Sequence, residues 1–140
     1  MNVLEQEQTY RFDTFNNEMA YQFGEAVVTM VKEQGLKPVR IRVVYNGDIV
    51  YQYLMEGKAG VEWLDRKQRT VEATNHASMY VAQHTEDYPA LTFEDGYAPC
   101  GGGFPLIVNN EVKGSLIISG LADYEDHDLI IAAIKKVKEM

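Results

Sequence analysis

The sequence predicts an α+β fold with a central antiparallel sheet of about five strands, flanked by three main helices. Three observations predict it. An apolar pattern of helical period follows Asn16, two β-branched stretches are each interrupted by a short turn signal, and a second helical pattern ends the chain. The predicted order is helix, hairpin, long helix, loop, hairpin, helix. Because hairpins join antiparallel strands, this order excludes a doubly wound nucleotide-binding fold.

The first helix is predicted to start after Asn16 or Asn17, either of which can cap it. Gly35 suits the position after its end, and Pro38 lies just beyond. Residues 8–12 (QTYRF) are predicted to form a short strand that leads in. The apolar positions of the helix recur with the 3.6-residue period of one buried face; they are Met19, Ala20, Phe23, Ala26, Val27, Met30 and Val31.

Two hairpins are predicted from their turn residues. Asn46-Gly47 separates VRIRVVY from DIVYQYLM, and Asn-Gly is typical of a type I′ turn because both positions need positive φ. Asn109-Asn110 separates FPLIV from EVKGSLIIS in the same way. In the first strand Arg40 and Arg42 alternate with apolar residues, so we expect only one side of that strand to be dry near its start.

The other two helices are predicted from their composition and their ends. Residues 58–85 contain no proline and read as one long helix with an apolar stripe of mixed quality (Leu64, Val71, Thr74, Ser78 and Val81). The last helix starts at Asp123–Asp126, and its final turns carry lysines, which suits the helix dipole at both ends. Its predicted buried face contains Ile130, Ala133, Ile134 and Val137.

Length, charge and cysteine content bound the function. The 140 residues fit one domain, 1–140, and the net charge of −8 argues against a nucleic-acid partner or an anionic membrane surface. No apolar run approaches the ~20 residues of a membrane span. One cysteine excludes an internal disulfide, and the polar start MNVLEQEQTYRF is not a signal peptide. We therefore expect a cytoplasmic protein.

The stretch APCGGGFPLIV, residues 98–108, concentrates special residues and has two interpretations. Cys100 followed by Gly101, Gly102 and Gly103 could form a nucleophile or anion-binding loop, because glycines let backbone N–H groups converge. Alternatively, the glycines let the backbone pass close to a ligand or another chain, as a loop that lines a pocket or an interface. The stretch leads into a strand and lacks both common phosphate-binding patterns.

Histidines and a basic patch supply further candidates. His76 and His84 are eight residues apart on one predicted helix, too far to share a metal, and no metal-ligand motif exists, so no metal site is predicted. His127 begins the last helix among acidic residues; it is either a ligand or acid–base group, or a packing residue. The patch Arg66–Arg69 is either a solvated face, with pairs such as Glu62–Arg66 and Asp65–Arg69, or an anion-binding surface.

Two sets of residues together resemble a known family. Trp63, Arg66, Lys67, Thr70 and Val71 match a W-x-x-R-K-x-x-T-V signature. The second set matches GG-x-FP, then SGL, then an acidic pair with histidine; it consists of Gly101–Pro105, Gly114–Leu121 and Glu125–His127. With these motifs the chain resembles the haem-degrading-domain family, and within it a branch of small cytosolic single-domain proteins. The resemblance covers about residues 12 to 137.

The resemblance implies a profilin- or PAS-like α+β domain and homo-oligomers, from dimers up to rings of dimers. Similar proteins include haem-binding sensor proteins, glycolate-operon proteins and C-terminal domains of some cobalamin adenosyltransferases. Haem is therefore the candidate cofactor, although no firm activity follows for this branch. The branch usually has histidine at Cys100 and serine or alanine at Gly103. If that histidine is a ligand, Cys100 must replace it, and a thiolate can ligate haem iron.

Three functional hypotheses follow. The first is an oligomeric protein that binds a small ligand: haem, a related tetrapyrrole or an anionic metabolite. Its predicted ligand-binding residues are Arg66, Lys67, Cys100, Gly101, Gly102, Gly103, Phe104 and His127. The second is a cofactor-free oligomeric interaction protein, in which Arg66 and Lys67 pair with a neighbouring subunit's carboxylates, such as those at positions 126 and 128. The third is an oxidative haem-degrading enzyme, for which no catalytic residue can be named.

Overall fold

The computed structural model describes residues 1–140, which form five α-helices, four β-strands and one 3₁₀ turn. In chain order they are α1 (Val3–Thr9), α2 (Asn17–Gln34), β1 (Arg40–Tyr45), β2 (Asp48–Leu54), α3 (Glu62–Thr74), α4 (Ser78–Gln83), the 3₁₀ turn Thr85–Asp87, β3 (Gly103–Val108), β4 (Glu111–Ser119) and α5 (Asp123–Lys138). The predicted α+β class and antiparallel sheet are confirmed. None of these helices is long and apolar enough to cross a membrane.

The sheet has four antiparallel strands in the order β2-β1-β4-β3, rather than about five. Both hairpins form as predicted, and Asn46, Asn109 and Asn110 adopt the positive φ that their turns require. The strand predicted at residues 8–12 is wrong, because it amounts to a single bridge between Phe12 and Val108. Its first residues instead end α1, whose start is fixed by a capping box between Asn2 and Glu5.

Two layers of helices cover the two faces of the sheet. The larger core lies between the sheet and helices α2 and α5, and Ile41, Val43 and Leu116 point into it. Helix α3 covers the opposite face. Arg42 faces α3 but is only 5% exposed, which corrects the expectation that this side of β1 would be wet. It is satisfied by Asp65 Oδ1 at 2.7 Å and by the side-chain oxygens of two glutamines, Gln52 and Gln68.

The long helix predicted over residues 58–85 is two helices, α3 and α4. Asn75 ends α3 in the left-handed region, with φ 58°, and its N–H still donates to Val71 O. A turn of chain with Thr74 bonded to His76 then leads into α4. This break, together with α1, gives five helices in place of three.

The helix α2 begins and ends as predicted, with the Asn16 side chain accepting from Met19 N and Gly35 at φ 64°.

Candidate functional site

A buried lysine joins α3 to α5 around one end of the sheet. Lys67 is 3% exposed, and its Nζ donates to Asp126 Oδ2 at 3.0 Å and to the backbone oxygen of Ile118 at 2.9 Å. Both partners belong to the same chain, whereas the interaction-protein hypothesis expected Lys67 to meet a carboxylate of a neighbouring subunit. Lys67 therefore holds together three elements: α3, the end of β4 and the start of α5.

Asp126 completes this pair from the first turn of α5. It is 1% exposed, and its Oδ1 accepts from the N–H of Leu121 at 3.1 Å. Burial raises the pKa of Asp126 to about 6, and the positive charge and hydrogen bond of Lys67 work against that rise. The carboxyl group of Asp126 therefore changes its charge close to neutral pH, while Lys67 stays beside it.

An open cleft lies over this pair; we name it the Lys67 cleft. Its volume is about 360 Å³, within the range of small-molecule sites. Trp63 forms one wall; its ring meets Phe93 edge-to-face at 5.9 Å, with the Arg66 guanidinium 5.7 Å from its centre. The cleft is lined by Lys58, Trp63, Lys67, Cys100, Ser119, Gly120, Leu121, Asp123 and Asp126.

Cys100 lies in the wall of the Lys67 cleft and is a free, half-buried thiol. Burial raises the pKa of this thiol, as do Asp123 and Asp126, whereas Lys67 lowers it. The net effect favours the neutral thiol over the thiolate. A nucleophile or a thiolate ligand requires the opposite balance, so this environment does not activate the cysteine.

The three glycines pack beneath the cleft and do not line it. Gly102 has φ 123°, and a side chain there would collide with Lys67 Nζ and Ile118 O. A side chain at Gly101 would collide with Asp123 O, and one at Gly103 would press on Val71. The glycines thus let the chain pass between α3 and α5 into β3. Phe104 follows as a fully buried core residue.

The basic patch is anchored to the loop that precedes β3. Arg66 pairs with Glu62 at 2.9 Å, as the solvated-face interpretation predicted, but it also donates to the backbone oxygens of Phe93 and Tyr97. Arg69 donates to Gly96 O at 2.6 Å and does not pair with Asp65, which bonds Arg42 instead. The arginines therefore fix the loop, and Arg66 contacts the cleft only through Trp63.

His127 lies outside the Lys67 cleft, on the core side of α5. It is 4% exposed, and its Nε2 lies 2.7 Å from Gln6 Oε1 of α1. Its Nδ1 is buried without a hydrogen-bond partner, and burial lowers the pKa of the ring. The neutral tautomer with a proton on Nε2 satisfies Gln6 and leaves no unpaired donor. The ring also packs near Phe104, at 6.0 Å between centres.

The other two histidines form a separate stack on the α3–α4 side. The His76 ring stacks on Tyr80 at 4.4 Å, and Tyr80 stacks on His84 at 4.1 Å. His76 Nδ1 contacts the buried Glu7 at 2.8 Å, which ties α1 to α4. No group of three or more histidine, cysteine or acidic side chains is close enough to hold a metal ion.

Of the predicted ligand-binding residues, the structure brings Lys67 and Cys100 into the cleft. The sequence interpretation missed Lys58, Ser119, Gly120, Leu121, Asp123 and Asp126 as lining residues. A signal was nevertheless present. Trp63 and Lys67, the Ser119–Leu121 segment, and Asp126 stand in three of the four motifs that carry the family resemblance, and these three motifs converge on one cleft.

Comparison with known proteins gives a consistent family. The model of a family described as haem-degrading protein HbpS-like matches residues 15–135. A UPF0303 protein of Streptomyces coelicolor is 32% identical over 142 residues, covering 94% of this chain and 89% of the relative. A UPF0303 protein of Yersinia enterocolitica is also 32% identical, covering 86% of this chain and 76% of the relative.

Solved structures share the fold. The Ybr137w protein superposes with a TM-score of 0.86 at 24% identity, covering 98% of this chain and 86% of that one. HbpS superposes with a TM-score of 0.74 at 21% identity, covering 87% and 89%. A haem complex of PduOC superposes with a TM-score of 0.73 at 22% identity, covering 87% and 94%. At these identities the superpositions establish the fold alone.

Proposed function

Since the chain belongs to the HbpS-like haem-degrading protein family, we propose that it binds a small anionic ligand in the Lys67 cleft, with haem and related tetrapyrroles as the first candidates. The observation that carries this proposal is the buried Lys67–Asp126 pair at the floor of an open cleft. Burying an ion pair has a desolvation cost, so such a pair is weak evidence for a purely stabilising role. A role in ligand binding accounts for the position of this pair at the floor of the cleft.

The charges of the cleft support an anion. Lys58 and Lys67 are its two cationic side chains, and Asp123 and Asp126 its two acids. Because the pKa of Asp126 is about 6, a bound anion would favour its protonated form and leave Lys67 without its negative partner. We therefore expect affinity for an anion to rise as the pH falls through about 6.

The residues present fit a ligand held by charge better than one held through iron. Cys100 is the only thiol of the cleft and is favoured as the neutral thiol, while His127 is buried and bonded to Gln6. A bound haem supplies redox chemistry at its iron. In this cleft Lys58 and Lys67 would instead bind the carboxylates of the ligand, and Trp63 would cover one face of a planar ligand.

A titration with haemin and with iron-free protoporphyrin IX tests the proposal. Trp63 is the only tryptophan of the chain and lines this cleft, so quenching of its fluorescence follows binding. We expect saturable quenching by both compounds, because charge and stacking need no iron. Absence of saturable quenching by either compound would remove tetrapyrroles from the candidates and leave smaller anions, for which citrate is the next probe.

Matched variants locate the ligand. Lys58→Gln keeps the buried pair intact and should weaken binding about threefold, as expected for a partly exposed charge contact. Lys136→Gln removes an exposed lysine of α5, distant from the cleft, and should leave binding unchanged. Binding of haemin alone, lost in Cys100→Ala, would instead show ligation of the iron by the thiol and contradict the charge-based proposal.

Homo-oligomerisation and a cytoplasmic location remain predictions. Light scattering on the same samples, with and without ligand, measures the first. A ligand that changes the oligomer would connect the binding hypothesis with the interaction hypothesis.

A further inference from the structure

A second groove lies between α2 and the edge strand β2 and shares no lining residue with the Lys67 cleft. We name it the tyrosine groove; its volume is about 330 Å³. Tyr21 and Tyr51 meet edge-to-face with ring centres 6.3 Å apart. The ring of Tyr51 lies over Gly24, where any side chain would collide with it. The groove is lined by Tyr21, Glu25, Val28, Thr29, Tyr51, Gln52 and Tyr53.

The groove contains one charged side chain and no cation. Glu25 is exposed and takes part in none of the five ion pairs of the molecule. Burial, followed by the neighbouring tyrosines and Glu25, raises the pKa of Tyr51 to about 12, so its phenol stays neutral. Neutral tyrosine faces beside a free carboxylate are the surroundings that a lysine or arginine side chain prefers.

One wall of the groove is also an open sheet edge. Strand β2 pairs with β1 on one side only, so the backbone N–H and C=O groups of its other side are free. Ile49, Tyr53 and Leu54 are 52%, 46% and 41% exposed along this strand. The strand carries no lysine or arginine that would protect the edge from pairing.

We propose that β2 and the tyrosine groove bind a basic, extended peptide segment of a partner protein. The segment adds as a further strand along β2 and places a lysine or arginine side chain against Tyr51 and Tyr53, where its charge meets Glu25. Backbone hydrogen bonds to the edge would supply affinity, and the cation in the groove would supply specificity. The net charge of −8 would speed the approach of a basic segment.

Charge argues against a second copy of this chain as the occupant. Strand β2 of another copy, DIVYQYL, would bring Asp48 and no cation, so Glu25 would stay unpaired.

The test is fluorescence anisotropy with a labelled synthetic peptide, Thr-Val-Lys-Val-Lys-Val-Thr, blocked at both ends. A peptide with glutamate in place of lysine tests the charge, and one with N-methylated valines tests the backbone bonds. We expect saturable binding of the lysine peptide alone. Tyr53→Ala and Glu25→Gln should each raise its Kd about fivefold to tenfold, which is the range of a cation–π or single charge contact.

Two control variants separate the groove from general surface effects. Glu33→Gln removes an exposed glutamate near the end of α2, and Tyr124→Ala removes an exposed tyrosine of α5; both should leave the Kd unchanged. Equal binding of the glutamate peptide, or no saturable binding of any peptide, would overturn the proposal. Self-association of the protein that Tyr53→Ala abolishes would also overturn it, because a second copy would then occupy the groove.

Discussion

Cys100 shows how burial and charge compete at one side chain. The thiol lies beside the ammonium of Lys67, which favours a thiolate, but burial and two carboxylates favour the neutral form. Burial is the largest of these effects. A cysteine beside a lysine is therefore not automatically reactive.

We predict slow alkylation of Cys100 at neutral pH. Its raised pKa leaves little thiolate, which is the reacting form. The rate constant with iodoacetamide, followed by mass spectrometry of the folded protein, should lie below that of the urea-unfolded chain at the same pH. Asp123→Asn removes an exposed carboxylate that raises the pKa and should speed alkylation, whereas Asp128→Asn serves as its control. A folded protein that reacts faster than the unfolded chain would contradict the prediction.

At the scale of elements, the glycine loop decides how closely α3 can approach α5. Lys67 crosses from one helix to the other directly over Gly102, whose φ is 123°. No larger residue leaves room for Nζ to reach Ile118 O and Asp126. The concentration of glycines before β3 therefore has a steric reason: Gly102 makes space for the buried ion pair, and Gly101 and Gly103 make space for the Asp123 backbone and the Val71 side chain.

We predict that Gly102→Ala destabilises the protein by about 2–4 kcal/mol, because backbone strain and the collision with Lys67 add together. Urea unfolding followed by circular dichroism measures the change. Gly60→Ala is the matched control, since Gly60 also has positive φ (84°) but no atom within 4 Å of the added carbon. It should cost only about 1 kcal/mol. Equal losses in the two variants would mean that the contact with Lys67 contributes nothing.

Local signals identified some elements and could not identify others. The Asn-Gly and Asn-Asn turns, the Asn16 cap and the end at Gly35 depend on neighbouring residues, and all were predictable. The break at Asn75 was not, because asparagine in the left-handed region continues no helix yet looks ordinary in a polar sequence. Helix α1 was missed although its capping box, Asn2 with Glu5, is a local signal. Only its docking depends on residues distant in sequence, because Glu7 and Gln6 meet His76 and His127.

The candidate site likewise has features that the sequence predicts and features that depend on packing. Lys67 and Cys100 were identifiable as unusual residues, but their meeting with Asp126 depends on how three elements cross. The patch around Arg66 was predicted as one surface, whereas its cations point in different directions: Lys67 into the interior, and Arg66 and Arg69 to the backbone of the preceding loop. Periodicity places residues on a helix, but only packing decides which of them are buried.

At the scale of the whole molecule, the two grooves share no lining residue and differ in chemistry. The Lys67 cleft has paired charges over a buried floor, and the tyrosine groove has one free carboxylate beside an open edge. The two proposals are therefore separable. A variant of Glu25 should leave the quenching of Trp63 by protoporphyrin IX unchanged, and a variant of Lys58 should leave peptide binding unchanged.

We expect the stability of the whole chain to depend on pH through the protonation of Asp126. Its pKa rises from 3.8 to about 6 on folding, mainly through burial, so the folded state holds the proton more tightly than the unfolded state. The stabilisation from this proton is complete below the unfolded pKa and is lost as the pH rises through about 6. A shift of this size corresponds to about 3 kcal/mol. Four groups surround the Asp126 carboxyl group: Lys67, the N–H of Leu121, Glu125 and Cys100. All four remain in the variant Asp126→Asn, which removes only the carboxyl group.

We therefore predict how the difference in stability between the wild type and Asp126→Asn depends on pH. The free energy of unfolding of the wild type minus that of Asp126→Asn should fall by about 2.5 kcal/mol between about pH 4 and pH 7, because asparagine has no proton to lose. Any pH dependence of this difference that arises at position 126 belongs to the wild type, since asparagine stays neutral over this range. Asp128→Asn, which removes an exposed carboxylate two residues further along α5, is the control variant. A flat curve for Asp126→Asn would mean that the carboxylate is ionised throughout, and that the ion pair with Lys67 outweighs the cost of burying it.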